Sequence, residues 1–105
     1  MPNPVEIELL EDGGQGAFII RNEPGSEPDL LAEMTWLWAE GVMVITHTGV
    51  RAPLRHQGIA GRLVDAAAAL ARERGFRIWP RCPFAAKAFA DSPEQCAAVR
   101  AATRP

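Results

Sequence analysis

The chain has little of what usually marks a specialised protein. Two cysteines, Cys82 and Cys96, occur in 105 residues. They are too few for the disulfide framework of a small secreted domain and lack the spaced His or Cys partners of a zinc site. Both read as reduced thiols, and no metal is expected. No apolar run approaches the length a membrane helix needs. The stretch MPNPVEIELLEDGG has neither the basic nor the apolar segment of a secretory leader. The expected compartment is therefore the cytoplasm, with no membrane partner. Lysine is confined to Lys87 against ten arginines, and tyrosine is absent altogether. The arginine bias and the abundant alanine of the second half reflect codon usage more than function.

What is present is an ordinary globular balance, 48% hydrophobic and 23% charged residues, which excludes a disordered or collagen-like chain. The length suits one domain, 1–105, with a single modest core. The net charge of −2 conceals an asymmetry: residues 1–40 carry nine acidic groups against Arg21 alone, and residues 41–105 carry ten basic groups against four acidic ones. An anionic ligand would favour the basic half. Nucleic acid is not the expected partner, because the chain is acidic overall and has neither basic–aromatic interleaving on one element nor a helix-turn-helix or zinc signature.

Hydrophobic patterning predicts the order β-β-β-β-α-β-α-α. VEIELL (5–10), the turn DGGQG and AFIIR (17–21) read as a hairpin. NEPGSEPD (22–29) is a loop. LLAEMTWLWA (30–39) permits helix at its start, but Thr35 to Trp38 favour a strand. VMVITHTGV (42–50), entered through Glu40-Gly41, is the most β-prone run. After the loop 51–56, residues 57–74 carry Ile59, Leu63, Ala66, Ala67, Leu70 and Ala71 at helical spacing, stopped by Gly75. FRIWP (76–80) is a short strand. PFAAKAFAD (83–91) and 92–104, the latter capped by Ser92, are two helical pieces. The expected fold is α/β (α+β): one mixed, mostly antiparallel sheet, with the long helix crossing from strand four to a parallel strand five.

Two glycines stand at the mouth of that helix, in RHQGIAGRLV (55–64). The first turn of a helix leaves N–H groups unpaired and carries the positive end of the dipole, so phosphate oxygens suit it where side chains do not block the approach. Gly58 and the small Ala60 permit that approach. The same glycines also read as room for close helix–strand packing. Neither G-x-G-x-x-G nor a P-loop is present, which removes those two nucleotide folds.

The strand VMVITHTGV followed by Arg55-His56-Gln57-Gly58-Ile59-Ala60 at a helix start resembles the acyl-CoA motif of the GCN5-related N-acetyltransferases, Arg/Gln-x-x-Gly-x-Gly/Ala. The wider string, with His-Thr on the strand and Cys82 two residues before Phe84, is similar to the small, minimal branch of that superfamily over about 41–95. The resemblance implies the acyl-CoA N-acyltransferase fold and transfer of an acetyl group from acetyl-CoA to an amine, a small molecule or a protein lysine. It implies that the pantetheine arm of CoA lies along Thr48, Gly49 and Val50. The pyrophosphate would rest on His56, Gln57, Gly58, Ile59 and Ala60 with Arg55 nearby, and Phe84 stands where that branch has an aromatic. It places His47 and Cys82 at the reacting thioester, His47 to take the amine proton and Cys82 to protonate the thiolate or carry the acyl group. On the residues alone, a strand His and a lone Cys read equally as packed side chains. Many members use a tyrosine to protonate the leaving thiolate, and this chain has none. A CoA-binding or protein-interaction module without useful catalysis is the alternative. Monomer and homodimer are both compatible, an exposed edge strand being able to pair.

Overall fold

In a computed structural model, residues 6–27, 29–55 and 58–91 are described. Four strands come first: β1 (Glu8–Asp12), β2 (Gln15–Arg21), β3 (Leu30–Ala39) and β4 (Val42–Val50). A 3-10 turn (Ala52–Leu54) leads to helix α1 (Ile59–Arg74), then β5 (Arg77–Pro80) and helix α2 (Pro83–Ala90). The sheet order is β1-β2-β3-β4-β5, antiparallel through β4 and parallel between β4 and β5. The mixed sheet and the α1 crossover are those expected from the patterning. The helix expected over 92–104, with Ser92 and Cys96, lies outside the described residues.

Local boundaries differ from the sequence reading for identifiable reasons. β1 starts at Glu8 and runs to Asp12, because pairing continues up to the two-residue turn at Gly13-Gly14. As an edge strand, it keeps Glu11 and Asp12 in water. β3 is extended from Leu30, not helical at its start: β2 and β4 pair with it on either side, and this overrides the helix preference of Leu, Ala and Glu. Its burial alternates as a strand's should. The β3–β4 hairpin closes through Glu40 and Gly41, both at positive φ (54° and 81°), the backbone of a tight two-residue turn. Helix α1 begins at Ile59 rather than at residue 57, because Gly58 adopts φ 74° and can only cap it. Gly75, also left-handed, ends it by donating its N–H to the Ala71 carbonyl at 2.7 Å.

Both helices pack on one face of the sheet. Ile59, Leu63, Val64, Ala67, Leu70 and Ala71 of α1, with Ala85 and Phe89 of α2, meet Phe18, Ile20, Met34, Trp36, Met43, Ile45 and Ile78 in one core. Each fully buried Leu, Ile or Phe contributes about 1.5–3 kcal/mol of transfer free energy. At the surface, Arg74 at the end of α1 donates to both carboxylate oxygens of Glu11 on β1 (2.7 and 3.1 Å), and Arg21 does the same for Glu8 (2.8 and 3.4 Å). These hydrogen bonds hold both carboxyls below their ordinary pKa.

Gly16 shows how tight the core is near β1. A Cβ there would stand 2.5 Å from Cζ2 of Trp36 and 2.7 Å from the Leu10 carbonyl oxygen. Trp36 in turn packs on Phe18 with ring centroids 4.9 Å apart. Gly61 is the opposite case, since a Cβ added to it meets nothing within 4 Å. Denaturant unfolding should therefore show opposite signs at the two positions. Gly16→Ala is expected to lose about 1–3 kcal/mol by overpacking, and Gly61→Ala to gain up to about 1 kcal/mol from helix propensity.

Candidate functional site

The site arises where β4 stops behaving as a central strand. From Ala39↔Val42 to Trp36↔Ile45 the β3–β4 register is regular; it resumes at Thr35↔His47, so Thr46 is an extra, bulged residue. On its other side β4 pairs with β5 only from Val42 to Ile45. The last link is the Cys82 N–H donating to the Ile45 carbonyl at 3.0 Å. Beyond that point no described strand covers the β5 side of residues 46–50, and the sheet opens.

A cavity of about 510 Å³ occupies the opening, within the range of small-ligand sites. Thr48, Gly49 and Val50 of β4 form one wall; Arg51, Leu54 and Arg55 of the connecting turn a second; Gly58, Ile59 and Ala60 at the start of α1 a third; and Phe84 of α2 the last. Every cofactor-contact residue expected from the sequence lines it, apart from His56 and Gln57, which lie outside the described residues. Arg51 and Leu54 were not foreseen. The signal available for them was position alone, between the strand and the Arg-x-x-Gly turn.

The lining sets two arginines and a helix N-terminus beside the apolar side chains of Val50, Leu54, Ile59 and Phe84. At the mouth of α1 no described side chain caps the helix and no acidic residue occupies its first turn, which puts the positive end of the dipole at the cavity wall formed by Gly58, Ile59 and Ala60. The close-packing reading of the glycines fails, because a Cβ at Gly58 or Gly61 would touch nothing. Gly58 is required for its left-handed φ of 74°. Arg55 donates Nε–H to the Val50 carbonyl at 3.0 Å, which anchors its guanidinium at the cavity wall. Thr48 is only 5% exposed, and its Oγ1 has no hydrogen-bond partner. A buried hydroxyl left unpaired costs about 1–3 kcal/mol, and this one belongs to a residue of the cavity wall.

Neither of the two residues expected at the thioester is among those that line the cavity. Cys82, a free, half-buried thiol preceding α2, is tied to Ile45 through its amide and packs against the core. His47, two residues further along β4, has a side chain 57% exposed, with Nε2 3.0 Å from Glu33 Oε2 on β3. Sequence reading did not single out Glu33. It became a neighbour of His47 only through the Thr46 bulge. Lys87 is paired with Asp91 at 3.2 Å, and Trp38 packs edge-on against Phe76 at 4.8 Å. Among the described residues no group of three His, Cys, Asp or Glu side chains could hold a metal, and no helix is long and apolar enough to cross a membrane.

The family model described as GCN5-related N-acetyl-transferase matches residues 17–99. A GCN5-like N-acetyltransferase structure from Staphylococcus aureus, described there as putative, superposes with a TM-score of 0.72 at 27% identity, covering 93% of this chain and 90% of that one. The ribosomal-protein-alanine N-acetyltransferase of Brucella melitensis shares the fold at TM-score 0.57 and 23% identity, covering 77% of this chain and 62% of its own. So does an aminoglycoside acetyltransferase from an uncultured soil metagenomic sample, at 0.54 and 16%, covering 90% and 59%. No curated protein sequence matches. A family match spanning most of the chain, on a sheet that opens between β4 and β5 beside an Arg-x-x-Gly-x-Ala helix mouth, shows that this chain belongs to the GCN5-related N-acetyltransferases.

Proposed function

We propose that the protein transfers an acetyl group from acetyl-CoA to an amine and belongs to the small, minimal branch of its family. One observation carries the reading: the cavity at the β4–β5 opening is lined by the described residues that the acyl-CoA motif and strand β4 supply. Thr48, Gly49 and Val50 would line the pantetheine arm, and the N–H groups at Gly58, Ile59 and Ala60 would receive the pyrophosphate, with Arg51 and Arg55 adding charge. Phe84, 42% exposed, supplies apolar surface at the rim. His56 and Gln57 belong to the same motif by sequence.

Acetyl-CoA brings an activated thioester, so the protein's tasks are few. The acceptor amine must lose its proton to become the nucleophile, and the departing thiolate must gain one. His47 is the proposed base for the amine. Cys82 is the proposed acid for the thiolate, or a transient acyl carrier. The acceptor is proposed to be a cationic amine, a small molecule or a protein lysine, drawn by the acidic first forty residues. One observation favours a second reading, binding of CoA without useful turnover: the chain contains no tyrosine, the residue many relatives use as the acid, and the α2 residue that lines the cavity is Phe84.

An amine panel assayed by release of free CoA thiol separates the two readings: steady turnover of any amine excludes the non-catalytic one. With an active acceptor, Thr48→Val is expected to raise KM for acetyl-CoA about two- to tenfold, the equivalent of one hydrogen bond. It should leave thermal stability unchanged or slightly higher, since it removes an unpaired buried hydroxyl. His47→Ala should lower kcat by about 10²–10⁴, the usual contribution of a positioned base, and Cys82→Ala should lower it further. Unchanged turnover in the double variant would remove both roles.

A further inference from the structure

Glu33 has no part in the reaction as written, yet it is held more tightly than a surface carboxylate on a sheet needs to be. Its side chain is 15% exposed. Oε2 lies 3.0 Å from His47 Nε2, and Oε1, which has no hydrogen-bond partner, lies 3.5 Å from Arg51 Nη2. A carboxylate so far out of water is tolerated only when paired, and here a cation stands on one side and an imidazole on the other. The three groups close over Gly49. A Cβ there would stand 3.3 Å from His47 Nε2, 3.4 Å from Arg51 Nη1 and 3.6 Å from Glu33 Oε2. The absence of a side chain at 49 leaves the room in which they meet.

An ionised carboxylate can only accept, so the hydrogen between Glu33 and His47 must sit on Nε2. In the neutral ring this leaves the lone pair on Nδ1. We infer that Glu33 is a positioning residue that locks His47 in its Nε2–H tautomer, making Nδ1 the atom that takes the acceptor's proton. The inference rests on the proposed role of His47 as base. In the step itself, the N–H bond of the acceptor ammonium breaks, its electron pair stays on nitrogen as the nucleophile, and the proton bonds to Nδ1. The resulting imidazolium keeps its Nε2–H on Glu33, whose negative charge stabilises it. Arg51, which also lines the cavity, restrains the second oxygen of Glu33 and so sets the direction of the first.

Long-range nitrogen–proton NMR of the imidazole rings in the full chain, with His47→Ala identifying the signal, reads the tautomer without any ligand. The Nε2–H form is expected in the wild type and in Glu33→Gln, whose amide carbonyl still accepts. Mixed tautomers are expected in Glu33→Ala. In the acetylation assay Glu33→Ala should lower kcat roughly 10- to 100-fold at unchanged KM for acetyl-CoA, a smaller loss than that of His47 itself, and Glu33→Gln should recover part of it. Glu33→Gln also serves if Glu33→Ala does not fold. An Nδ1–H or mixed wild-type ring overturns the inference. So does a Glu33→Ala protein with wild-type tautomer and kcat while His47→Ala is impaired. If His47→Ala turns over normally, the base assignment beneath the inference fails, and the tautomer measurement distinguishes that outcome from the others.

Discussion

β4 pairs on both sides for its first four residues and on one side thereafter, and the change falls at Thr46, the bulged residue. A strand with strict alternation would place His47 on the face that carries Met43 and Ile45, inside the core. The extra residue reverses the parity. His47 turns to the open face beside Glu33, while Thr48 and Val50 take the buried positions. β4–β5 pairing ends one residue before the bulge, at Ile45↔Pro80, and the cavity lies between the unpaired end of β4 and the start of α1. The bond from Cys82 N–H to the Ile45 carbonyl marks the limit of the opening.

Charge follows the same division. The basic half supplies Arg51 and Arg55 to the cavity wall, beside a helix start with no acidic residue in its first turn. The acidic half supplies β1 and Glu33. Arg51 and Glu33 therefore meet at the boundary between the cavity wall and the open sheet face. A domain of this size has one core, and that core lies on one face of the sheet beneath α1 and α2. The cavity's rigidity is borrowed from it: Ile59 is both a core residue and part of the cavity lining.

How much of this could be read from residues depended on range. Strand β4, the α1 stop at Gly75 and the α2 start after Cys82 were legible, because β-branched runs, left-handed glycines and proline act locally. The strand character of Leu30 to Met34 was ambiguous, because pairing from both sides decided it and propensity did not. The cavity residues from Thr48 to Phe84 were reachable through the resemblance of the Arg-x-x-Gly-x-Ala turn. Glu33 was not: counting back from the Glu40-Gly41 hairpin without a bulge sets it opposite Thr48, and only the slip at Thr46 moves it opposite Gly49, within reach of the His47 ring. Arg51 and Leu54 depended on the path of the 3-10 turn, for which patterning has no period.

If the opening between β4 and β5 is an acyl-CoA site, thermal unfolding with and without ligand will register it. Acetyl-CoA at about a hundred times its dissociation constant should add roughly 2.7 kcal/mol, raising Tm by about 10 °C or more in a domain this small. CoA should act similarly and ATP should not. No shift at millimolar acetyl-CoA, or an equal shift with ATP, would contradict the account.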